Sequence, residues 1–403
     1  MMRDSARTLR RSAGVALVGT LAVAALVVPA APASADATIT ANEQTFYGYY
    51  RLDAIHSSGY TGEGVTIALV DGPINTQIPE LAGARIQSYS PCAVDSQDKS
   101  WDHGTVIAQV ISSPQFGVAP GANLRAYTLS FAGETTGTDC ALGQWGRGYS
   151  DLALLIEDAL NDGVDVITTS SSYPNDYEGM RWALARAIAS KVPVVACVGN
   201  DSTSNSTDWL PAWGGVVGVG AIETNGRPSD YQNWGRPLST AALARPLARS
   251  GVSQERGEWW GTSFASPVVA GSLALSMQRW PRATGNQIMQ GLARTGVGGN
   301  GGEWNQYTGY GALDIYAMLT TNPTSFPDEN PFMDKGTNTV PSRQDVQDYI
   351  DGVVDPRVVM NDNSYEYLGF DERLALSREH GYPTHLGTSP RFHASSASNA
   401  KKK

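Results

Sequence analysis

Ser263 lies in GTSFASPVVAG (Gly261 to Gly271), flanked by small residues and just ahead of an apolar run, VVAGSLALSM, that reads as a buried helix. A hydroxyl there faces the positive end of a helix dipole and leaves room for another molecule's backbone. A neutral serine is a poor nucleophile. It needs a base within hydrogen-bond reach, and the base needs an orienting carboxylate. His103, in WDHGTVIAQVI, has the type of the base, and Asp71, at the end of VTIALV, that of the carboxylate. Attack on a carbonyl builds an oxyanion that needs at least two donors. Asn200, which ends VPVVACVG, offers a side-chain amide, and Ser263 its own backbone N–H. Taken singly, each residue has a plainer reading. Ser263 suits an N-cap, His103 suits a solvent-facing position at a helix start, and Pro267 is tolerated in a first helical turn. His56 reads as structural. His380, His385 and His393 fall in loop-like tail sequence and read as solvated rather than metal-binding.

The elements that must position these residues follow from hydrophobic pattern. VTIALV (65–70), LRAYTLS (124–130), VDVITTS (164–170), VPVVACV and VVGVGAI (216–222) are short apolar runs that read as strands buried on both faces. SDLALLIEDALNDG, with a Ser150 cap and a Gly163 stop, and YEGMRWALARAIASK read as amphipathic helices between them. Such alternation predicts an α/β fold with a mostly parallel central sheet covered on both sides. Parallel sheets bind ligands at the carboxyl ends of their strands. Asp71, Asn200 and the run Ser170, Ser171 and Ser172 all end strands and would line one edge.

The 403 residues begin with Arg3, Arg7, Arg10 and Arg11, an apolar run, and small residues at Ala33 and Ala35. This pattern predicts a secretory signal peptide over 1–35, a catalytic domain over 36–322, and a Pro/Asn/Asp-rich linker and partly disordered extension over 323–403. Two short helical patches are expected in that extension, SRQDVQDYIDGV and DERLALSREHG. Removing the leader takes the formal charge from −10 to −13. That argues against nucleic-acid or anionic-membrane binding by bulk charge. No second long apolar run follows, so release from the membrane is expected. Export permits disulfides. Cys92 and Cys140, in polar loops, could pair, while Cys197 in VPVVACV reads as a buried thiol. The cysteine spacings do not suggest a zinc site.

The motifs together resemble those of subtilisin-like serine proteases, from about Phe46 to Asn322. GYTGEGVTIALVD is similar to the family's strand into the catalytic aspartate, DHGT to its histidine motif, and GVAPGANL to its GVAP turn. VPVVACVGN is similar to its oxyanion strand and GTSFASP to its serine motif. The order Asp, His, Ser is that of subtilisin. The resemblance implies a three-layer subtilisin-like fold and endopeptidase activity on peptide or protein substrates. Asp71, His103 and Ser263 would form the triad, Asn200 the oxyanion donor, and Ser170 to Ser172 the edge that pairs with substrate. Cys197, Val198 and Gly199 would form the facing pocket wall. No cofactor or metal is implied, and a secreted monomer is expected. The wider chain is similar to secreted actinobacterial subtilases, including mycosins. Mycosins end in a membrane helix, which is not expected here, so that role is not assigned.

Five departures stand out. Gly72-Pro73 replaces Thr-Gly or Ser-Gly after the aspartate, and is expected to shift Asp71 slightly because Pro73 lacks an amide and fixes φ. Val106 stands where the family has a second histidine. The segment from His103 to GVAP is short, which predicts loss of a calcium loop. About ten residues between leader and domain leave no room for the usual propeptide. Ser172, in place of a glycine, is expected to narrow one pocket wall and disfavour large aromatic side chains. The alternative is an inactive or self-inhibited subtilase acting as a peptide-binding protein.

Overall fold

The computed structural model describes residues 37–142, 147–148, 151–170, 177–205, 209–299, 302–336 and 339–351. The leader, Ser171, Ser172, the second helical patch and the tail histidines lie outside them. Seven strands form the central sheet: β1 Thr66–Asp71, β2 Ile86–Tyr89, β3 Asn123–Thr128, β4 Val166–Thr169, β5 Val194–Cys197, β6 Val217–Ile222 and β7 Thr240–Leu243. Their order is β7-β6-β5-β4-β1-β3-β2, and every neighbouring pair runs parallel.

Successive side chains of a strand point to opposite faces, and here both faces are buried. Ile67 and Leu69 of β1 join one core with Val106 and Val110 of α1 (Asp98–Ser112) and Phe264 and Val268 of α4 (Thr262–Arg279). Ala68 and Val70 of β1 join the other core, with Leu155 of α2 (Leu152–Asn161) and Leu184 of α3 (Tyr177–Ala189). The result is a three-layer α/β sandwich, which explains why the strands read as unbroken apolar runs. α2 is capped by Asp151, whose Oδ1 accepts from the Ala153 amide at 2.9 Å, not by Ser150.

The Pro/Asn/Asp-rich stretch after Asn322 is not a solvated linker as far as the described residues run. Phe332 is 1 % exposed in the main core. The Asn330 side chain donates to Gly215 O at 2.9 Å, and the Gly214 amide donates to Val340 O at 2.8 Å. Lys335 Nζ donates to Pro237 O and Ser239 Oγ. The first helical patch forms α5 (Arg343–Asp351), where Tyr349 packs on Trp182 and Ala185 of α3 and Asp345 pairs with Arg181. Isolated apolar residues among polar ones carry no period, so composition alone misjudges this segment.

Candidate active site

The strand register sets the level of the site. Val70 pairs with Thr169, and Thr169 with Ala196. The next residue of each strand, Asp71, Ser170 and Cys197, therefore stands at one height on the carboxyl edge. β1 lies between β3 and β4, and the chain crosses it to reach the far half of the sheet, which marks the crevice position in open α/β sheets.

His103 reaches Asp71 because two glycines let their backbones touch. A Cβ at Gly104 would lie 2.2 Å from Gly72 O, and one at Gly72 would lie 2.0 Å from Ser100 O. α1 therefore presses against the turn after β1. It begins at Asp98, five residues before the histidine, so His103 sits in the second turn rather than at the helix start. His103 Nδ1 donates to Asp71 Oδ1 at 2.7 Å, and the Gly72 amide donates to the same oxygen at 2.8 Å. Asp71 is fully buried and the His103 side chain is 20 % exposed. The predicted shift at Gly72-Pro73 does not break this pair. Asp71 Oδ2, however, is buried with no hydrogen-bond partner among the described residues. Burial works against a charge on His103, but the attraction and hydrogen bond of Asp71 outweigh it and raise its pKa above the ordinary histidine value, with Lys99 opposing. With Nδ1 committed to the carboxylate, Nε2 keeps the lone pair a base requires. The rings of Phe131 and Phe264 flank the imidazole, 6.0 and 5.7 Å from its centre.

Ser263 is the second residue of α4. Gly261, with φ 135°, takes the N-cap position, so Ser263 is not the cap. A first-turn amide has no partner within its helix, which leaves the Ser263 N–H able to donate outward. Pro267 lies deeper in the helix than a first turn. It has no N–H to give the carbonyl four residues back, that of Ser263. The Ser170 hydroxyl fills the gap, donating to Ser263 O at 2.7 Å. The end of β4 is thus fastened to the start of α4.

Asn200 is aimed by a residue the sequence reading missed. Asn200 Oδ1 accepts from both the amide (2.8 Å) and the hydroxyl (3.0 Å) of Thr262. The hydroxyl in turn accepts from the Gly199 amide at 3.1 Å. With its oxygen so held, Asn200 Nδ2 is the end left to donate. It lies 3.3 Å from where a Cβ on Gly261 would stand. The signal was in the Gly-Thr-Ser triplet, where a small hydroxyl precedes the serine. Cys197 and Val198 are 2 % exposed and lie behind this rim, and the Cys197 thiol donates to Ser170 O at 3.2 Å. Cys92 and Cys140 form a disulfide, and Cys197 is free and buried.

The structure thus brings Asp71 and His103 together in direct contact, and Ser170, Cys197, Asn200, Thr262 and Ser263 into one linked set. A buried carboxylate, an imidazole held in one orientation, a helix-start serine and an amide donor together are suited to acyl transfer. The family model described as the subtilase family matches residues 62–311. Subtilisin E of Bacillus subtilis (strain 168) is 29 % identical over 276 residues, covering 66 % of this chain and 68 % of its own. Subtilisin BL of Lederbergia lenta is 31 % identical over 248 residues, covering 60 % and 87 %. Among solved structures, the serine protease MycP1, a component of the type VII (ESX-1) secretion system, matches with TM-score 0.57 at 27 % identity. That match covers 72 % of this chain and 91 % of MycP1. With the family's model spanning most of the chain and its fold present throughout the sheet, the protein belongs to the subtilase family and is a serine-type endopeptidase.

Proposed function

We propose that this protein is a secreted, monomeric endopeptidase in which Ser263 attacks the scissile carbonyl, His103 takes the serine proton, and Asp71 holds and stabilises the imidazolium. His103 then returns the proton to the leaving amine, and water reverses the sequence to free the acyl product. Asn200 Nδ2 and the Ser263 amide receive the oxyanion. The observation that carries this reading is the 2.7 Å bond from His103 Nδ1 to the buried Asp71. It costs nothing to orient at the moment of reaction, and it lies on the same sheet edge as Ser263 and Asn200. The peptide runs along the end of β4 at Ser170 to Ser172, as an added strand, against a wall at Cys197 to Gly199. A serine at 172 in place of the family's glycine adds bulk, so cleavage after small residues should exceed cleavage after large aromatic ones, a preference a peptide panel measures.

The deciding test labels the chain from residue 36 with a fluorophosphonate, beside Ser263→Ala, and follows hydrolysis of a peptide anilide. Labelling and turnover in the first and neither in the second support the assignment. Equal labelling of both would overturn it.

A further inference from the structure

Asn200 is aimed by Thr262, but the loop that carries Asn200 must itself be fixed. That loop turns sharply. Gly199 has φ 96° and Ser202 has φ 51°, so the strand stops and the backbone amides beyond it lose the sheet as a partner. One buried side chain takes up two of them, those of Asp201 and Thr203. Asn233 is 2 % exposed. Its Nδ2 donates to Val198 O at 2.9 Å and to Asp201 Oδ2 at 3.3 Å. Its Oδ1 accepts from the amides of Asp201 (3.0 Å) and Thr203 (3.1 Å) and from the Thr203 hydroxyl (3.2 Å). Its backbone N–H donates to Gly199 O at 3.0 Å. The orientation of the amide is forced, since a flipped group would set oxygen against the Val198 carbonyl and nitrogen against two N–H donors.

The bonds fall on both sides of residue 200, at 198 and 199 before it and at 201 and 203 after it. No other residue type of that size supplies both donors and an acceptor in one plane. Asn233 also explains why residue 199 is glycine in space as well as in φ, because a Cβ there would stand 2.4 Å from Asn233 Nδ2. The bonds Ser202 N to Tyr231 O and Trp234 N to Thr203 O continue the lacing on either side.

We infer that Asn233 is a positioning residue for catalysis, a buried staple that holds the Asn200 loop so that the Asn200 amide meets the oxyanion. The inference rests on the proposed role of Asn200. Asn233 does not touch substrate. It acts through Asn200, and that makes its effect separable from general stability. A misplacement of about 1 Å near reacting groups costs roughly 100-fold, and loss of one oxyanion donor in subtilisin itself lowers kcat by about 10²–10³-fold. Asn233→Ala should therefore lower kcat by about 10- to 100-fold with KM within about twofold.

The test is a double-mutant cycle of Asn200→Ala and Asn233→Ala, with kcat taken per active site titrated by a fluorophosphonate, so that misfolded chains are not counted. Asn233→Asp, which keeps the shape and loses the donor to Val198, runs alongside should the alanine variant fold poorly. The expected result is that Asn200→Ala lowers kcat and that adding either Asn233 substitution then changes it less than threefold. Equal losses in both backgrounds would overturn the inference while leaving the oxyanion role of Asn200 intact, as would a single Asn233 variant within twofold of wild type. No loss from Asn200→Ala would remove that role and the inference with it.

Discussion

Gly104→Ala puts one methyl group where the fold brings two backbones together. The new Cβ would lie 2.2 Å from Gly72 O and 2.7 Å from Pro73 O, whereas carbon and carbonyl oxygen rest at about 3.3 Å or more. α1 must therefore move by about 1 Å, and His103 rides on the same turn. Taken along the 2.7 Å bond to Asp71, that movement leaves about 3.8 Å, beyond hydrogen-bond range. At an effective dielectric constant near 20, the imidazolium loses about 2 kcal/mol of attraction, which lowers its pKa. The variant should lose roughly 100-fold in kcat/KM, and its acid limb should move to lower pH. Gly257→Ala is the matched control, since a Cβ there meets nothing within 4 Å. The assay is the pH profile of peptide-anilide hydrolysis, with melting temperature followed in parallel. A folded Gly104→Ala enzyme that keeps half of wild-type kcat/KM, with its acid limb unmoved, would refute the argument that this glycine contact sets the Asp71–His103 bond.

Other tests follow from the same geometry. Because Asp71 raises the His103 pKa and only the neutral ring is a base, wild-type kcat/KM should fall as pH drops through a value above the ordinary histidine one. Asp71→Asn should shift any residual limb down and lower kcat severely. Reducing Cys92–Cys140, which spans 48 residues of sequence, should cost up to about 4 kcal/mol, read as a lower denaturant midpoint with and without reductant. Burial lowers the Lys335 pKa to about 7, so the folded state carries fewer protons there than the unfolded chain between that value and the ordinary lysine range. This term makes stability rise with pH across that window, and Lys335→Met should flatten it in melting curves taken from pH 6 to 10. Truncation after Asn322 removes buried Phe332 and should lower the melting temperature by several degrees or more.

The sheet and the candidate chemistry were legible because both rest on strong local signals. Apolar runs such as VTIALV and VPVVACV could only be strands buried on both faces, and their polar end residues then fell on one edge. β2, with the sequence IQSY and a half-exposed burial pattern, and β7, with TAAL, carry no such run, and only pairing with a neighbour makes them strands. Thr262 and Asn233 were missed for a related reason. Each acts through hydrogen bonds to groups distant in sequence, and a small polar side chain leaves no periodic trace. Pro267 was visible, but its consequence depended on where the helix began. Once Thr262 rather than a later residue opens α4, the proline frees the Ser263 carbonyl and gives the Ser170 hydroxyl its partner.

Phe332, Asn330 and Val340 complete the packing around β6 from far beyond Ser263 in the chain. A chain leaving the ribosome thus holds every proposed catalytic side chain before it holds the residues that finish the core. Contacts of such long sequence separation slow folding, because the intervening loop must close first. Until the fold closes, the unfolded chain is itself a substrate for copies of the enzyme that are already folded. Refolding yield should then depend on how much finished enzyme is present, and blocking Ser263 should protect the newcomers. The distant segment that closes the core thereby makes the timing of maturation, as well as its end state, a property on which the survival of the population depends.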